Sequence, residues 1–402
     1  MRAISFEINI PRALATKYVG RFWPDFVWTP FSSVAVATVP DPPLPGPNWI
    51  RVRNRLCGIC ATDLSLMFAK AHPAIVPVLL PPYQRIYLGH EAVSTVVEVG
   101  PAVTRFRVGD RVIMDTRFAG ANCTTLGIEP KCRHCADGDS CFCVNKSAPG
   151  PRGAGGGFGD GYTAHESEVY PCPPDLSDDQ ATLVEPMSCA VRAVLRRSPE
   201  PGERVLVVGS GIIGLCVAMA AKAIQPECQL TVIARYPHQA EMARRLGADH
   251  ILTGCEGYEG VAKHLGGKFV SGPLNKGIII GGFDVIYDCV GVGTTMEDSL
   301  RWTRPGGVVV VVGVNLAPVH LDLTPVWYWH INLIGTYEHG HDTWQGRRRH
   351  TYDWVIDFLR DGRFRAEGLI THRFPFDDYK RAIAVSRSKA RERPIKVVFD
   401  YT

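Results

Sequence analysis

The sequence lacks any apolar stretch long enough to cross a membrane. Its longest apolar runs, such as residues 308–312, have only the length of a strand. The first residues also lack the uninterrupted apolar core of a signal peptide. A net charge of +4 on 402 residues is too small to indicate a nucleic-acid partner. We therefore expect a cytoplasmic protein with no membrane partner and no nucleic-acid partner.

Cysteine, in contrast, is abundant, with 13 residues. A long chain without a secretion signal favours reduced thiols and metal ligands over disulfides. The hydrophobic share of 46% and the charged share of 21% are ordinary for a globular protein. A chain of this length has room for two domains, each with its own core.

The pattern of short runs changes along the chain. Residues 1–188 are rich in proline, glycine and short β-type runs, which predicts a β-rich domain with long loops. A glycine-rich stretch at 150–161 is expected to be a surface loop. From residue 204, strands and helices alternate, which predicts a parallel, doubly wound sheet. We expect an α/β protein with a first domain at 1–188, completed by 338–402, and a second domain at 189–337.

A glycine-rich turn follows the first strand of this second domain. Gly209, Gly211 and Gly214 form G-x-G-x-x-G between a strand and a helix, with Ile212 and Ile213 completing the turn. Such glycines permit a tight turn and a close backbone approach, so that a pyrophosphate can rest on the helix N-terminus. The sequence therefore predicts a dinucleotide site.

The end of the next strand lacks the carboxylate that NAD-preferring proteins carry there. Ala234 occupies that position and Arg235 follows it. An acid would repel a 2′-phosphate, whereas a small residue followed by a guanidinium can accept one. We therefore expect NADP(H) to be preferred over NAD(H).

Three residues far apart in the sequence have the chemistry of a catalytic zinc site. Cys60, His90 and Glu185 offer one sulfur, one nitrogen and one oxygen ligand. Three protein ligands leave the fourth tetrahedral position of zinc open, which is the arrangement that catalytic zinc needs. Beside a dinucleotide site, such a metal suggests hydride transfer to or from a nicotinamide.

Together these motifs resemble the zinc-dependent medium-chain dehydrogenase/reductase family, which includes alcohol, polyol and sugar dehydrogenases. The resemblance covers nearly the whole chain and is carried by these segments: G-I-C-A-T-D (58–63), G-H-E (89–91), V-G-D-R-V (108–112), E-P-M-S (185–188), G-S-G-I-I-G (209–214), A-R-R-L-G-A-D (243–249), R-P-G-G (304–307) and L-I-T-H-R-F-P-F (369–376). It implies a GroES-like β-rich catalytic domain and a Rossmann domain.

The resemblance also implies roles for single residues of the first domain. Cys60, His90 and Glu185 would bind the catalytic zinc, and Glu91 would lie close by or act as an exchangeable ligand. The carboxylate at position 185 is similar to the polyol and sugar dehydrogenase branch. Thr62 would take the proton of the substrate, and Asp63 would orient His90. Many members have histidine where this chain has Ser65, so the resemblance leaves the outer proton relay open.

A second cysteine cluster is similar to the structural zinc lobe of the family, which has the spacing C-x2-C-x2-C-x7-C. Cys132, Cys135 and Cys143 match the last three positions, and Glu129 holds the first. The fourth ligand could be Glu129, Cys123 or Cys141. A closed site with four ligands would stabilise the lobe without a catalytic role. The alternative is a zinc-free lobe of free thiols.

The leading hypothesis is a zinc-dependent, NADP(H)-preferring oxidoreductase that interconverts a secondary or primary alcohol, polyol- and sugar-like alcohols included, and its carbonyl. One alternative is a zinc-dependent reductase of an activated C=C or C=N bond in specialised metabolism. Another is a non-catalytic protein that binds nucleotide and zinc. We expect a small-molecule substrate and a homodimer or homotetramer.

A long N-terminal insertion carries four aromatic residues. Phe22, Trp23, Phe26 and Trp28 could line a substrate pocket or anchor the insertion. The sequence leaves both interpretations open.

Overall fold

The structure is a computed structural model that describes residues 1–38, 40–72, 85–115, 121–254, 256–272 and 277–402. Its strands are β1 (Arg2–Glu7), β2 (Val34–Thr38), β3 (Trp49–Gly58), β4 (Arg85–Tyr87), β5 (Glu91–Val99), β6 (Arg111–Met114), β7 (Gly161–His165), β8 (Val169–Pro171), β9 (Arg204–Val208), β10 (Gln229–Ile233), β11 (His250–Leu252), β12 (Lys268–Ser271), β13 (Gly277–Ile280), β14 (Phe283–Asp288), β15 (Thr303–Val311), β16 (Asn332–Gly335), β17 (His341–Trp344), β18 (Arg347–His350), β19 (Ile370–Pro375) and β20 (Lys396–Asp400).

The α-helices of the described residues complete the secondary structure. They are α1 (Ile10–Phe22), α2 (Ala61–Met67), α3 (Arg133–Ala136), α4 (Asp178–Arg196), α5 (Ile212–Ile224), α6 (Pro237–Arg245), α7 (Gly257–Leu265), α8 (Gly293–Trp302), α9 (Thr324–Tyr328), α10 (Thr351–Arg360) and α11 (Tyr379–Arg387). None of the described helices is both long and apolar enough to span a bilayer.

The chain forms two compact units. The first comprises residues 1–185 and 368–402, and the second comprises residues 186–367. The return to the first unit therefore comes at residue 368, about thirty residues later than the sequence suggested. Residues 338–367 group with the second unit because they bond to its helices: Arg192 Nη1 donates to the carbonyl of His339, and the backbone N–H of Arg365 donates to the sulfur of Met219.

The first unit is built on a seven-stranded sheet in the order β19-β20-β3-β5-β6-β8, with β7 also paired to β3. Strand β3 lies between β20 and β5, and its buried, mostly apolar residues alternate with three arginines within the first seven positions of the strand. A smaller sheet, β2-β1-β4, belongs to the same unit. Alternating apolar side chains of these strands form one core, which includes Ile4, Ile50, Val52, Val96, Val112 and Phe399.

The glycine-rich stretch at 150–161 departs from the expected surface loop in its second half. Residues 156–159 are buried, and Phe158 lies in the core of the first unit. The backbone of Phe158 accepts from the N–H of Ile4 and donates to the carbonyl of Leu88. The glycines around it allow this close packing, since a Cβ at Gly157 would lie 2.3 Å from the sulfur of Cys57.

The second unit contains a six-stranded parallel sheet in the order β11-β10-β9-β14-β15-β16. Helices alternate with these strands along the chain, as the apolar runs of residues 205–208 and 308–312 predicted. The interior strands are apolar on both faces, which is typical of a parallel sheet covered by helices. Two antiparallel hairpins, β12-β13 and β17-β18, complete the unit.

Candidate active site

Cys60 and His90 lie at the ends of two paired strands of the first unit. Cys60 directly precedes α2 and follows the end of β3 at Gly58 by two residues. His90 directly precedes β5, which begins at Glu91. Gly58 and Glu91 are opposite each other in the antiparallel ladder of β3 and β5. The ladder therefore brings the two predicted ligands to the same end of the pair.

The predicted catalytic ligands fall into two groups of side chains that both include His90. Ligand atoms of Cys60, Asp63 and His90 all lie within 4.8 Å of one another. Ligand atoms of His90, Glu91 and Glu185 also lie within 4.8 Å of one another. Cys60 and Glu185 thus belong to two overlapping groups that share His90.

Asp63 orients the imidazole of His90. Oδ2 of Asp63 lies 3.3 Å from Nδ1 of His90, and its Oδ1 accepts the backbone N–H of Gly89 at 2.9 Å. Burial acts to lower the pKa of His90, but the negative groups of Asp63 and Cys60 raise it well above its ordinary value. A carboxylate at Nδ1 leaves Nε2 as the ring atom that can bind a metal.

Glu91 is held by a lysine that the sequence analysis missed. Lys396, the first residue of β20, is fully buried and donates from Nζ to Oε1 of Glu91 at 2.7 Å and to the carbonyl of Ile59 at 3.3 Å. Burial raises the pKa of Glu91, Lys396 opposes this, and Glu185 adds to it. A lysine inside the apolar run of residues 395–399 was the signal that could have revealed this partner.

Gly58 makes room for the Glu91 carboxylate. A Cβ built on Gly58 would lie 2.0 Å from Oε2 of Glu91. Any side chain at this position would therefore push the carboxylate away from Lys396. This close approach explains the glycine of the C-G-I-C segment in physical terms.

Thr62 and Ser65 lie on the first two turns of α2, beside Cys60. Both side chains are half-buried. The position of Thr62 two residues after Cys60 agrees with a place at the edge of the candidate metal site, and its role in proton transfer stays a prediction.

The donor set of this cluster fits zinc. A thiolate, an imidazole and a carboxylate are the N, S and O ligands that zinc takes in catalytic sites. The carboxylate beside Nδ1 of His90 supplies the outer contact that metal-bound histidines usually have. Cys60, His90 and Glu185 would hold the ion, with Glu91 engaged by Lys396.

The second cysteine cluster forms a group of four. The sulfurs of Cys123, Cys132, Cys135 and Cys143 all lie within 4.8 Å of one another. The Cys123 sulfur is 3.7 Å from that of Cys143 and accepts N–H bonds from the backbone of Cys132 and the side chain of Asn145. Such N–H donors stabilise thiolates, and the N–H of Cys135 and then that of Val144 lower the pKa of Cys132 to about 6. Four convergent sulfurs fit a structural zinc.

The geometry favours one of the three candidates for the fourth ligand of this lobe. Cys123 belongs to the group of four sulfurs, whereas Glu129 and Cys141 do not. The sequence could not decide among these three residues. In the family spacing the first ligand stands three positions before Cys132, where this chain has Glu129, whereas Cys123 stands nine positions before it.

In the second unit, the glycine-rich turn has the geometry expected of a dinucleotide site. Gly209 directly follows β9 with a φ of +93°, and Gly211 caps the N-terminus of α5. A Cβ at Gly214 would lie 1.8 Å from the carbonyl of Gly209, so only glycine fits there. Ile212 and Ile213 are the first residues of α5, where the free N–H groups of the helix lie.

Ala234 and Arg235 lie where the preceding strand ends. Ala234 is buried directly after β10, and its N–H donates to the carbonyl of Leu252. Arg235 is exposed, with its guanidinium 5.7 Å from the ring of Tyr236. The Oγ of Ser210 donates to Oε1 of Gln239 at 3.1 Å, which ties the glycine turn to α6. No carboxylate stands at the end of this strand.

Comparisons with known proteins agree with both units. Residues 46–174 match the model of the alcohol dehydrogenase GroES-like domain, and residues 213–359 match that of the zinc-binding dehydrogenase domain. The chain is 30% identical over 352 residues to an L-threonine 3-dehydrogenase of Rhizobium etli (strain CIAT 652), covering 87% of this chain and 91% of the relative. It is 28% identical over 348 residues to D-arabinitol dehydrogenase 1 of Uromyces fabae, covering 85% and 88%.

This chain belongs to the zinc-dependent medium-chain dehydrogenase/reductase family. The predicted fold, a GroES-like domain and a Rossmann domain, is confirmed by both matches. A zinc-binding dehydrogenase of Sinorhizobium meliloti 1021, solved with NADP bound, has the same fold, with a TM-score of 0.68 and 23% identity over 91% of this chain and 95% of that one. The dehydrogenase is an alcohol oxidoreductase of the zinc type that uses a nicotinamide nucleotide.

Proposed function

We propose that this dehydrogenase interconverts a secondary alcohol of polyol or sugar type and its carbonyl, with NADP(H) preferred over NAD(H). The observation that carries the proposal is that His90 shares one group of ligand atoms with Cys60 and a second group with Glu91 and Glu185. Relatives named as D-arabinitol and L-threonine dehydrogenases support a hydroxyl flanked by other polar groups.

Zinc, when bound by Cys60, His90 and Glu185, supplies a Lewis acid for the oxygen of the substrate. Asp63 fixes the ring orientation of His90 through its contact at Nδ1. Lys396 neutralises Glu91, so that this carboxylate stays bonded to the ammonium and outside the three-ligand set. The three remaining ligands leave the open position that an alcohol oxygen requires.

Thr62 is the proposed acceptor of the substrate proton. A hydroxyl can take a proton from the alcohol while it passes its own proton onward. Its position two residues after Cys60, on the first turn of α2, places it near the proposed metal. Ser65 lies on the same helix one turn later and is the next hydroxyl along the chain.

The metal site is tested by Cys60→Ser and Glu185→Ala. We expect each variant to lose most activity and the zinc of the catalytic site while the fold stays intact, as circular dichroism measures. Cys172→Ser and Glu98→Ala serve as matched controls, because neither residue belongs to a candidate metal group of the described chain. Activity that survives in metal-free enzyme would contradict the mechanism.

The cofactor preference rests on Arg235 and on the missing acid at Ala234. We expect Arg235→Gln to lower kcat/KM with NADP by about 10–100-fold, since a charge-assisted bond to a phosphate is lost. Turnover with NAD should hardly change. Arg244→Gln, on the exposed face of α6, is the matched control. A clear preference of the unmodified enzyme for NAD would refute this part of the proposal.

Substrate class is tested by a screen of polyols, sugar alcohols and simple secondary alcohols, followed through NADPH absorbance. We expect the highest kcat/KM among substrates with a second hydroxyl beside the reacting one. Product identification is essential to this screen. Reduction of a C=C or C=N bond in preference to a carbonyl would establish the alternative chemistry instead.

A further inference from the structure

Helix α1 presents large apolar side chains to solvent along one face. Ile10, Leu14, Tyr18 and Phe22 are spaced four residues apart, so they follow one another on the helix surface. Their exposed fractions are 74%, 43%, 61% and 85%. Trp23, the next residue, is also exposed. A helix of a globular domain normally turns such residues toward the core.

The inner face of α1 is made of small or backbone-bound residues. Thr16 and Gly20 are the buried residues of the helix. The Oγ1 of Thr16 donates to the carbonyl of Arg12 at 2.8 Å and accepts the N–H of Ser33 at 2.9 Å. Lys17 Nζ donates to the carbonyl of Ala71 at 2.8 Å. These contacts fix the rotation of α1, so the apolar face stays outward.

The aromatic residues of the insertion therefore divide into two pairs. Phe26 is buried, and Trp28 packs against the core of the first unit with its ring 5.0 Å from that of Tyr379. These two anchor the insertion. Phe22 does not anchor it, because its ring is largely exposed, whereas Trp23 is also exposed but contacts Phe26 with the ring centroids 6.0 Å apart.

The charges of α1 are all positive. Arg12, Lys17 and Arg21 are its charged residues, and residues 10–22 contain neither aspartate nor glutamate. On the helix surface, Lys17 and Arg21 each precede a residue of the apolar row and border it on one side. Arg12 lies nearly opposite Ile10 and Leu14 and is bonded to Glu7. An apolar face with cationic borders is typical of helices that lie in a membrane interface.

The acids that lie near the ends of α1 are engaged by arginines. Glu7 is bonded to Arg12 at 3.1 Å and to Arg85 at 2.9 Å. Asp25, which follows the helix, lies within electrostatic reach of Arg387. Since basic residues outnumber these two acids, the surface around the apolar face carries a net positive charge.

We propose that α1 binds the surface of a bilayer that contains anionic lipid, with Ile10, Leu14, Tyr18 and Phe22 inserted among the headgroups. The helix has 13 residues, about 20 Å in length, so it would lie on the membrane without spanning it. This proposal revises the expectation of no membrane partner, which depended on the search for spanning segments and leader sequences alone.

A second copy of the chain is the less favourable occupant of this face. Two copies of α1 packed about a two-fold axis would place the same cationic borders against each other. An anionic lipid surface instead pairs each border cation with a phosphate or carboxylate, which contributes roughly a fivefold gain in binding for each cation. Charge complementarity therefore selects the lipid surface.

The test is sedimentation of the zinc-loaded, full-length enzyme with vesicles. We expect binding to vesicles of phosphatidylserine and phosphatidylcholine, weakened by added salt, and much weaker binding to phosphatidylcholine alone. The double variant Leu14→Ser, Phe22→Ser should lower the partition coefficient by about tenfold or more. Arg21→Gln should lower it about fivefold with anionic vesicles only.

The control variant is Val108→Ser, which removes an exposed valine of the first unit away from α1 and should bind like the unmodified enzyme. All variants should keep their activity and unfolding temperature, so that a loss of binding cannot be a loss of fold. Failure to bind either vesicle would overturn the proposal. So would self-association in sedimentation velocity that the Leu14→Ser, Phe22→Ser variant abolishes, because the face would then belong to a second copy.

Discussion

At the scale of single residues, the buried pair of Lys396 and Glu91 is the contact with the largest energetic consequence. Both side chains are fully buried, and the ammonium bonds to both carboxylate oxygens and to the carbonyl of Ile59. A buried pair of this kind contributes little net stability while it is intact. The loss of one partner is costly, because the other charge is then buried without compensation.

We predict that Lys396→Met destabilises the enzyme by about 3–5 kcal/mol. The double variant Lys396→Met, Glu91→Gln should recover part of this loss, because it removes the uncompensated charge as well. Lys380→Met, an exposed lysine of α11, is the control and should change stability little. Denaturant unfolding of the zinc-loaded proteins measures all three. A loss no larger than that of the control would show that the pair does not exist in solution.

Single residues also mark the limits of prediction from the sequence. Cys60, His90 and Glu185 could be proposed as ligands because three metal-ligand types stand in motifs that the family shares, and the structure places Cys60 in one group with His90, and Glu185 in another group with His90. Lys396 stands out in the sequence only as a lysine within an apolar run; its partner Glu91 could not be identified, because only the register of β20 and β3 places the ammonium beside that carboxylate. Cys123 was one of three candidates until the chain path of the lobe brought it to the other cysteines.

At the scale of elements, Asp288 at the end of β14 holds the loop that packs on the glycine-rich turn. Its Oδ1 accepts the N–H groups of Val290 and Gly291 at 2.9 and 3.0 Å, and its Oδ2 accepts the hydroxyl of Thr295 at 2.9 Å. The side chain of Val290 lies 2.6 Å from where a Cβ of Gly209 would be. The carboxylate therefore positions a segment against the proposed dinucleotide site.

We predict that Asp288→Ala lowers stability by about 2–4 kcal/mol, since two N–H groups lose their acceptor. It should also raise KM for the dinucleotide more than KM for the alcohol. Asp288→Asn keeps an acceptor oxygen, so it should lower stability less and raise the KM for the dinucleotide less than Asp288→Ala does. Thermal unfolding and steady-state kinetics measure the two effects, and an unchanged KM for the dinucleotide would argue against the positioning role.

The contribution of Asp288 to the free energy of unfolding changes with pH in a definite direction. Burial raises the pKa of Asp288 above its ordinary value of 3.8, despite its three hydrogen bonds. A raised folded pKa means that the folded state holds the proton more tightly than the unfolded chain does, so this carboxyl favours folding most below pH 3.8. That contribution is lost as the pH rises through the folded pKa.

Asp288→Asn cannot titrate, so we predict that its stability relative to the unmodified enzyme improves from about pH 4 toward neutral pH. Unfolding measured across this range, against Asp378→Asn as an exposed control, provides the comparison. A difference that is constant with pH would contradict the raised pKa.

The elements themselves were predictable to different degrees. The four inner strands of the parallel sheet could be predicted because they are buried on both faces and read as short apolar runs, whereas the edge strands β11 and β16 were missed. The buried half of residues 150–161 could not, since its glycines resemble a flexible loop in sequence. Only the close approach of Gly157 and Gly159 to neighbouring strands explains them. Hairpin β17-β18 lacks an apolar pattern of its own and was missed.

At the scale of the whole molecule, both candidate metal sites belong to the first unit, but their ligands are spread differently along the chain. The catalytic ligands come from three remote segments at residues 60, 90 and 185, whereas the four cysteines lie within residues 123–143. The lobe around them is short and carries few strands or helices of its own. Metal binding is therefore expected to supply much of its folding free energy.

We predict two zinc ions per chain in the unmodified enzyme and one in either Cys123→Ser or Cys132→Ser. Both variants should unfold at a lower temperature, because the free energy of zinc binding no longer stabilises the lobe. Glu129→Ala and Cys141→Ala should retain both ions, since neither residue belongs to the group of four sulfurs. Metal analysis and thermal unfolding of all four variants decide the matter. A single zinc ion in the unmodified enzyme would show that the lobe holds free thiols. A single zinc ion in Glu129→Ala would show that Glu129 is the fourth ligand, as the family spacing indicates.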